Sequence, residues 1–239
     1  MQSNDYVVFL NGGYGVGKSA ALEHVGDLLA AAGQPFSLMD VDWFHRSWPS
    51  GDDDPDNVLT EAINMAALWT NYRRVGPRQL VVSGVLATAA DRHRYTEALA
   101  LPVRSVRLEA GPAVTETRLR GRYPDARPDA LQWHLERYET LAAQLAEADL
   151  DEYVITTDNL TPAAVARRVT EHFGLPAAPA ALSPAAQRGA PGDTVNRSTP
   201  PASSSASPTD PSSPPPTATA SPTGCSSPCS SPATSPPSA

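Results

Sequence analysis

The chain has 239 residues, 41% of them hydrophobic, and a formal net charge of −8. That excess of acid argues against a nucleic-acid-binding surface, which needs clustered Lys and Arg to displace counterions. The two cysteines, Cys225 and Cys229, have no His or further Cys around them, which argues against a structural zinc site and a disulfide framework.

Composition changes near Leu175. From Pro176 onward there are 16 of the 25 prolines, 15 serines, no aromatic residue and only four charged residues, Arg188, Asp193, Arg197 and Asp210. Such a stretch buries too little apolar surface to offset its ordering entropy, so residues 176–239 are expected to form a disordered tail. Residues 1–175 hold every Trp, Tyr and Phe and have the length of one domain. Near the N-terminus there is no basic segment followed by an apolar run of signal-peptide length, and no stretch approaches 18 apolar residues, so a soluble, cytoplasmic protein is expected.

In chain order, the apolar run Tyr6 to Leu10 ends in Asn11-Gly12-Gly13 and predicts a strand buried on both faces followed by a tight turn. Ser19 to Ala32 predicts a helix with Leu22, Val25, Leu28 and Leu29 on one stripe, stopped by Gly33. Strands are expected at 36–41, 80–86, 103–109 and 153–156. Helices are expected at 59–72, 92–100, 115–122 and 130–148, the last two separated by Pro124 and Pro128. Thr161 and Pro162, as N-cap and first helical residue, open a final helix to Phe173. This alternation predicts an α/β fold with a five-stranded parallel sheet and helices on both faces, in which ligands bind at the carboxyl ends of the strands.

The strongest motif is Gly12-Gly13-Tyr14-Gly15-Val16-Gly17-Lys18-Ser19, a full match to G-x-x-x-x-G-K-[ST] between a predicted strand and a predicted helix. Glycines let backbone N–H groups curl around a phosphate, the helix N-terminus adds partial positive charge, Lys18 reaches the β/γ oxygens and Ser19 ligates magnesium. Ala20 completes the predicted ATP-binding segment. Lys18 is the only lysine beside 17 arginines, so the charge stands where a compact ammonium must reach the phosphates. The lack of a second lysine also excludes the N-K-x-D base-recognition motif of GTPases.

Asp40 and Asp42 leave the end of the second strand, and at spacing two they share a face if the strand continues that far. Asp42 is favoured as the base that accepts the proton of an attacking hydroxyl, with Asp40 orienting magnesium; the alternative is a pair of loop or helix-capping aspartates.

Asn11-Gly12-Gly13 running into Gly17-Lys18-Ser19, then Val41-Asp42 with Pro49 seven residues on, resembles the chloramphenicol phosphotransferase family of small-molecule kinases. More loosely the layout is similar to adenylyl-sulfate, shikimate and gluconate kinases, from Val7 to about Gly174. The resemblance implies an ATP-dependent kinase fold with Asp42 at the general-base position, and does not imply chloramphenicol as substrate. Arg118, Arg120 and Arg122 stand where the lid of these kinases carries its arginines, and Arg118 and Arg122, four apart, would share a helix face over the transferring phosphate. One departure is Ser83 at the end of the third core strand, where many P-loop proteins carry a Walker B Asp.

Other segments have two readings. Residues 50–56, rich in Asp, form an acidic substrate loop or a solvated one; Trp43, Phe44 and Trp48 wall an acceptor pocket or belong to the core. His134 and Arg137 approach the lid or lie elsewhere on their helix, and Asp158-Asn159 contacts adenine, as in the resembling kinases, or forms an ordinary turn. The expectation is a kinase that uses ATP and magnesium to phosphorylate a hydroxylated small molecule, with no nucleic-acid or membrane partner. The alternative is a P-loop ATPase or ATP-binding regulator acting through a protein partner.

Overall fold

The computed structural model describes residues 5–123 and 127–177. The expected tail lies outside the described residues from residue 178 onward, as does Pro124 in the connection after Arg122.

Five strands, β1 (Val7–Gly12), β2 (Phe36–Asp40), β3 (Gln79–Gly84), β4 (Val103–Glu109) and β5 (Tyr153–Thr156), form one parallel sheet in the order β2-β3-β1-β4-β5. The period of two along β1 divides the core into two halves. Val8 and Leu10 face one side with Val81, Val106 and Leu108, packing against helices α1 (Lys18–Ala31) and α7 (Pro162–His172). Val7 and Phe9 face the other side with Leu80 and Val82, packing against α2 (Val58–Arg73) and α3 (Ala89–Leu99). Both faces of β1 are thereby dry, which is why it reads as a continuous apolar run. Phe9 is fully buried, and its truncation to Ala would cost about 3–5 kcal/mol.

The helix ends obey local chemistry. Thr161 Oγ1 accepts from the Ala164 amide at 3.2 Å with Pro162 at the first helical position, and Thr88 and Asp91 make a reciprocal capping box on α3. α1 ends at Ala31, with Gly33 at a φ of 66° just beyond it. Leu175 is the last buried residue among those described.

One expected helix is two. Instead of a single helix over 130–148, α5 (Pro128–Leu135) and α6 (Tyr138–Ala148) follow α4 (Pro112–Arg122), with the break at Glu136 and Arg137. No glycine or proline marks it. Tertiary contacts set it: Trp133 and His134 of α5 turn to Tyr14, while α6 buries Tyr138 and Leu145.

Candidate active site

β1 runs into α1 through residues 12–17 at the carboxyl edge of the sheet. A Cβ on Gly12 would lie 2.6 Å from the Leu108 carbonyl oxygen, so only glycine permits β1 and β4 to approach there. Gly17 caps α1 with φ 98°, and nothing lies within 4 Å of where its Cβ would be. α1 starts with no side-chain cap and no acid in its first turn, which leaves its leading N–H groups available to an anion.

The loop is anchored by Asn11, which is fully buried. Its Oδ1 accepts from the amides of Gly12 (2.9 Å) and Leu86 (2.8 Å), and its Nδ2 donates to Leu86 O (3.2 Å) and the Asp151 carboxylate (3.1 Å). Every donor and acceptor of the amide is used, which satisfies its burial and fixes the exit of β1.

Lys18 Nζ donates to the carbonyls of Gly12 (2.8 Å) and Gly13 (2.9 Å), folded back across the loop. Burial pulls its pKa below the ordinary lysine value, and the charges of Asp42 and Asp40 oppose that fall. The Ser19 hydroxyl donates to Asp40 Oδ2 at 2.6 Å. Asp40 Oδ1 accepts from the Asp42 amide at 3.2 Å, capping the 3-10 turn Val41–Trp43. Because β2 ends at Asp40, the two aspartates do not alternate along one strand; the turn carries Asp42 to the wall of the cavity.

Asp40 pairs in register with Ser83, which is fully buried and whose Oγ has no hydrogen-bond partner. Among the described residues no group of three or more His, Cys, Asp or Glu gathers as a metal cage. Ser19 and Asp40 are hard oxygen donors side by side, of the kind that could hold a magnesium ion whose shell phosphates and water complete.

On the opposite side, Arg118 and Arg122 of α4 both line the cavity but differ in attachment. Arg118 donates to Thr157 Oγ1 and Thr157 O, each at 2.9 Å, and to Val16 O at 3.4 Å, so it ties α4 to the phosphate loop and to the connection after β5. Arg122 lies 5.7 Å from the Tyr123 ring centroid. Tyr14 meets Trp133 and His134 edge-on at 5.5 and 4.8 Å, which joins the loop directly to α5. His134 Nδ1 lies 2.6 Å from Ala130 O, which can only accept, so in the neutral ring Nε2 accepts from the Tyr123 hydroxyl at 3.1 Å.

Many of these residues line one cavity of about 1100 Å³, and Asp40 stands behind its wall, bonded to Ser19. Of the expected loop residues, Gly13, Tyr14, Gly15, Gly17, Lys18, Ser19 and Ala20 line it, with Asp42, Arg118 and Arg122 facing them. Gly12 and Val16 are buried beneath, where they shape the loop.

No family model and no curated protein matches the chain. Its structure is similar to the tunicamycin resistance protein of Deinococcus radiodurans, with 22% identity over 74% of this chain and 100% of that one and a TM-score of 0.55. A sugar kinase of Janibacter sp. HTCC2649 aligns at 20% identity over 71% of this chain and 95% of that one, TM-score 0.48. Shikimate kinase of Acinetobacter baumannii aligns at 18% identity over 72% and 94%, TM-score 0.42. The chain shares its fold with that tunicamycin resistance protein, a parallel sheet whose first strand runs into the glycine-rich loop and α1.

Around this cavity, several open readings close. Trp43 and Trp48 are 69% and 81% exposed, which removes them from the core; Trp43 lines the cavity, while Phe44 packs on the core. Asp54 of the acidic loop accepts from the amides of Leu59 and Thr60 and so caps α2. Asp158 accepts from the Gly111 amide at 2.8 Å and lines a second cavity of about 440 Å³. His134 lies 3.1 Å from the Tyr123 hydroxyl and lines the cavity with Arg118 and Arg122, whereas Arg137 donates to Trp133 O and stacks over the Trp133 ring. The sequence reading missed His45, Glu61, Arg94 and Tyr95, which line the cavity beyond Asp42. A signal for Glu61 exists: it stands on the stripe with Met65 and Trp69, at helical spacing, where a carboxylate needs a reason.

Proposed function

We propose that the chain is an ATP-dependent kinase that transfers a γ-phosphoryl group to a hydroxyl of a small molecule. The observation that carries this reading is convergence: Lys18, Ser19, Asp42, Arg118 and Arg122, contributed by elements far apart in sequence, face one cavity at the carboxyl ends of the strands.

In this reading the backbone amides of residues 13–19 and Lys18 hold the phosphates. Ser19 and Asp40 are the residues that would hold magnesium, whose contribution when bound is to neutralise charge on the phosphate oxygens. Asp42 orients the acceptor hydroxyl and takes its proton as the acceptor oxygen bonds to the γ-phosphorus. The bond from that phosphorus to the β–γ bridging oxygen breaks, and ADP leaves. Arg122 faces the transferring group and stabilises its charge, and Arg118 holds α4 in place for it. We assign this activity to residues 1–175, consistent with Leu175 closing the core.

The test is a panel of polyols, nucleosides and antibiotics, tunicamycin included, incubated with the chain, ATP and magnesium and read by mass spectrometry for the gain of one phosphoryl group. ADP formation with no acceptor modified is the outcome expected of an ATPase instead.

A further inference from the structure

The part of the cavity beyond Asp42 is built around one carboxylate. Glu61 on α2 is 6% exposed and lines the cavity. Tyr95 Oη on α3 donates to its Oε1 at 2.6 Å, and His45 Nδ1, in the connection after β2, meets its Oε2 at 2.9 Å. Burial and the Glu61 charge push the Tyr95 hydroxyl far above the ordinary phenol range, so it stays protonated and donates. A carboxylate has about four lone-pair directions, and these two donors occupy one on each oxygen, which leaves half of its accepting capacity open.

The neighbouring acid is already spent. Asp91 accepts from the amides of Ala87 (3.1 Å) and Thr88 (2.9 Å) as the capping residue of α3, and from Arg94 Nη2 at 3.0 Å. Nor is Glu61 needed merely to staple the 44–47 segment to α2. Asn64 Nδ2 already donates to Phe44 O at 2.9 Å, and Asn57 Nδ2 to Ser47 O at 3.0 Å. A buried, partly satisfied carboxylate on a cavity wall is expensive unless a donor arrives to use it.

We infer that Glu61 selects the acceptor: its carboxylate takes a hydrogen bond from a second hydroxyl of the molecule whose first hydroxyl faces Asp42, so the acceptor is a diol or polyol. This rests on the kinase reading for the role of Asp42. Tyr95 and His45 are positioning residues that aim the Glu61 oxygens. A mono-alcohol would leave Glu61 short of a donor, and a site built to bond a hydroxyl rejects the analogue that lacks it more strongly than any apolar pocket rejects a missing methylene. Trp43, 69% exposed with Arg46 held 4.5 Å over its ring, offers an apolar face beside these groups on which a polyol's C–H surface can lie.

The experiment compares matched probes that differ by one hydroxyl: trans-1,2-cyclohexanediol with cyclohexanol, D-glucose with 2-deoxy-D-glucose, and myo-inositol with a deoxyinositol. Binding to the full chain is read by ligand-observed NMR titration, without nucleotide, for wild type, Glu61→Gln and Tyr95→Phe. Wild type is expected to prefer the hydroxyl-rich member of at least one pair by about tenfold or more. Glu61→Gln should reduce that preference to within about twofold while leaving the affinity for the deoxy member in place, a pattern that mere loss of structure does not produce. Tyr95→Phe, which keeps the ring and its packing, should lower the preference by a smaller factor, and it carries the test if Glu61→Gln does not fold. No preference in wild type, or a preference that survives both substitutions, overturns the inference. The kinase reading fails separately, through absence of Lys18-dependent phosphate transfer, whatever the binding preference shows.

Discussion

Ser19 and Asp40, at the start of α1 and the end of β2, share a hydrogen bond of 2.6 Å in which the Ser19 hydroxyl donates to Asp40 Oδ2. This is the length of a charge-assisted O–H···O bond and it joins the phosphate loop to the acceptor side of the cavity. With Ser83 in the place of a Walker B carboxylate, Asp40 is the acid nearest in register to that position. Asp40→Asn should therefore raise the magnesium concentration needed for half-maximal rate several-fold, with a much smaller change in kcat at saturating magnesium. A magnesium titration of the steady-state rate checks it; an unchanged half-saturation point would remove Asp40 from the metal shell.

Asp42 reaches the cavity on a 3-10 turn rather than along the strand. Replacing it by the nearly isosteric amide, Asp42→Asn, should preserve ATP affinity measured by calorimetry. It should lower kcat by roughly the 10²–10⁴-fold that general-base catalysis contributes. If Asp42→Asn turns over normally while Asp40→Asn is dead at saturating magnesium, the two roles are reversed.

The two arginines of α4 should separate in their effects. Arg118 makes two 2.9 Å bonds to Thr157 and a longer one to Val16 O, so Arg118→Ala should cost about 1–3 kcal/mol of stability as well as activity. Arg122→Ala should leave the melting temperature nearly unchanged and lower kcat by roughly 10²-fold, the loss of one stabilising donor. Thermal melts and rates measured on the same two samples decide. Equal melting temperatures for the two variants would contradict the assignment of Arg118 as a brace.

A small acid sensitivity is expected away from the site. Glu152 receives Arg104 Nη2 at 2.7 Å and Arg104 Nε at 3.0 Å, and those bonds hold its pKa below the ordinary 4.5. Its contribution to stability is therefore fully present above the unfolded value and is lost as the pH falls through the folded one. Because both side chains are more than a third exposed, the contribution is below about 1 kcal/mol. Glu152→Gln should lower stability slightly at pH 7 and flatten the decline between about pH 5 and 3; parallel denaturant titrations at several pH values measure this. A decline as steep in the variant as in wild type would exclude the pair as its source.

The phosphate loop and all five strands were legible because each depends on local pattern: β1 is a run buried on both faces, and the motif's glycines are demanded by backbone approach at Gly12 and by the left-handed conformation of Gly17. The break between α5 and α6 was not legible, since no helix breaker stands at Glu136 or Arg137 and the contact of His134 with Tyr14 comes from tertiary structure. Arg118 and Arg122 looked equivalent because four residues apart they share a helix face; only Thr157, 39 residues after Arg118, separates them. Glu61, His45 and Tyr95 come from three different elements, and their meeting is a product of the order in which β2, β3 and β1 lie side by side.

The measurement that bears most directly on the central claim is phosphate transfer by wild type and Lys18→Ala side by side, with ATP, magnesium and the hydroxylated panel. No other lysine exists in the chain to supply the charge that Lys18 carries at the mouth of the loop. The account predicts that wild type adds one phosphoryl group to at least one member of the panel and forms an equal amount of ADP, and that Lys18→Ala, folded by circular dichroism, adds none. Undiminished transfer by Lys18→Ala, or ADP release by wild type with every acceptor unmodified, would contradict it.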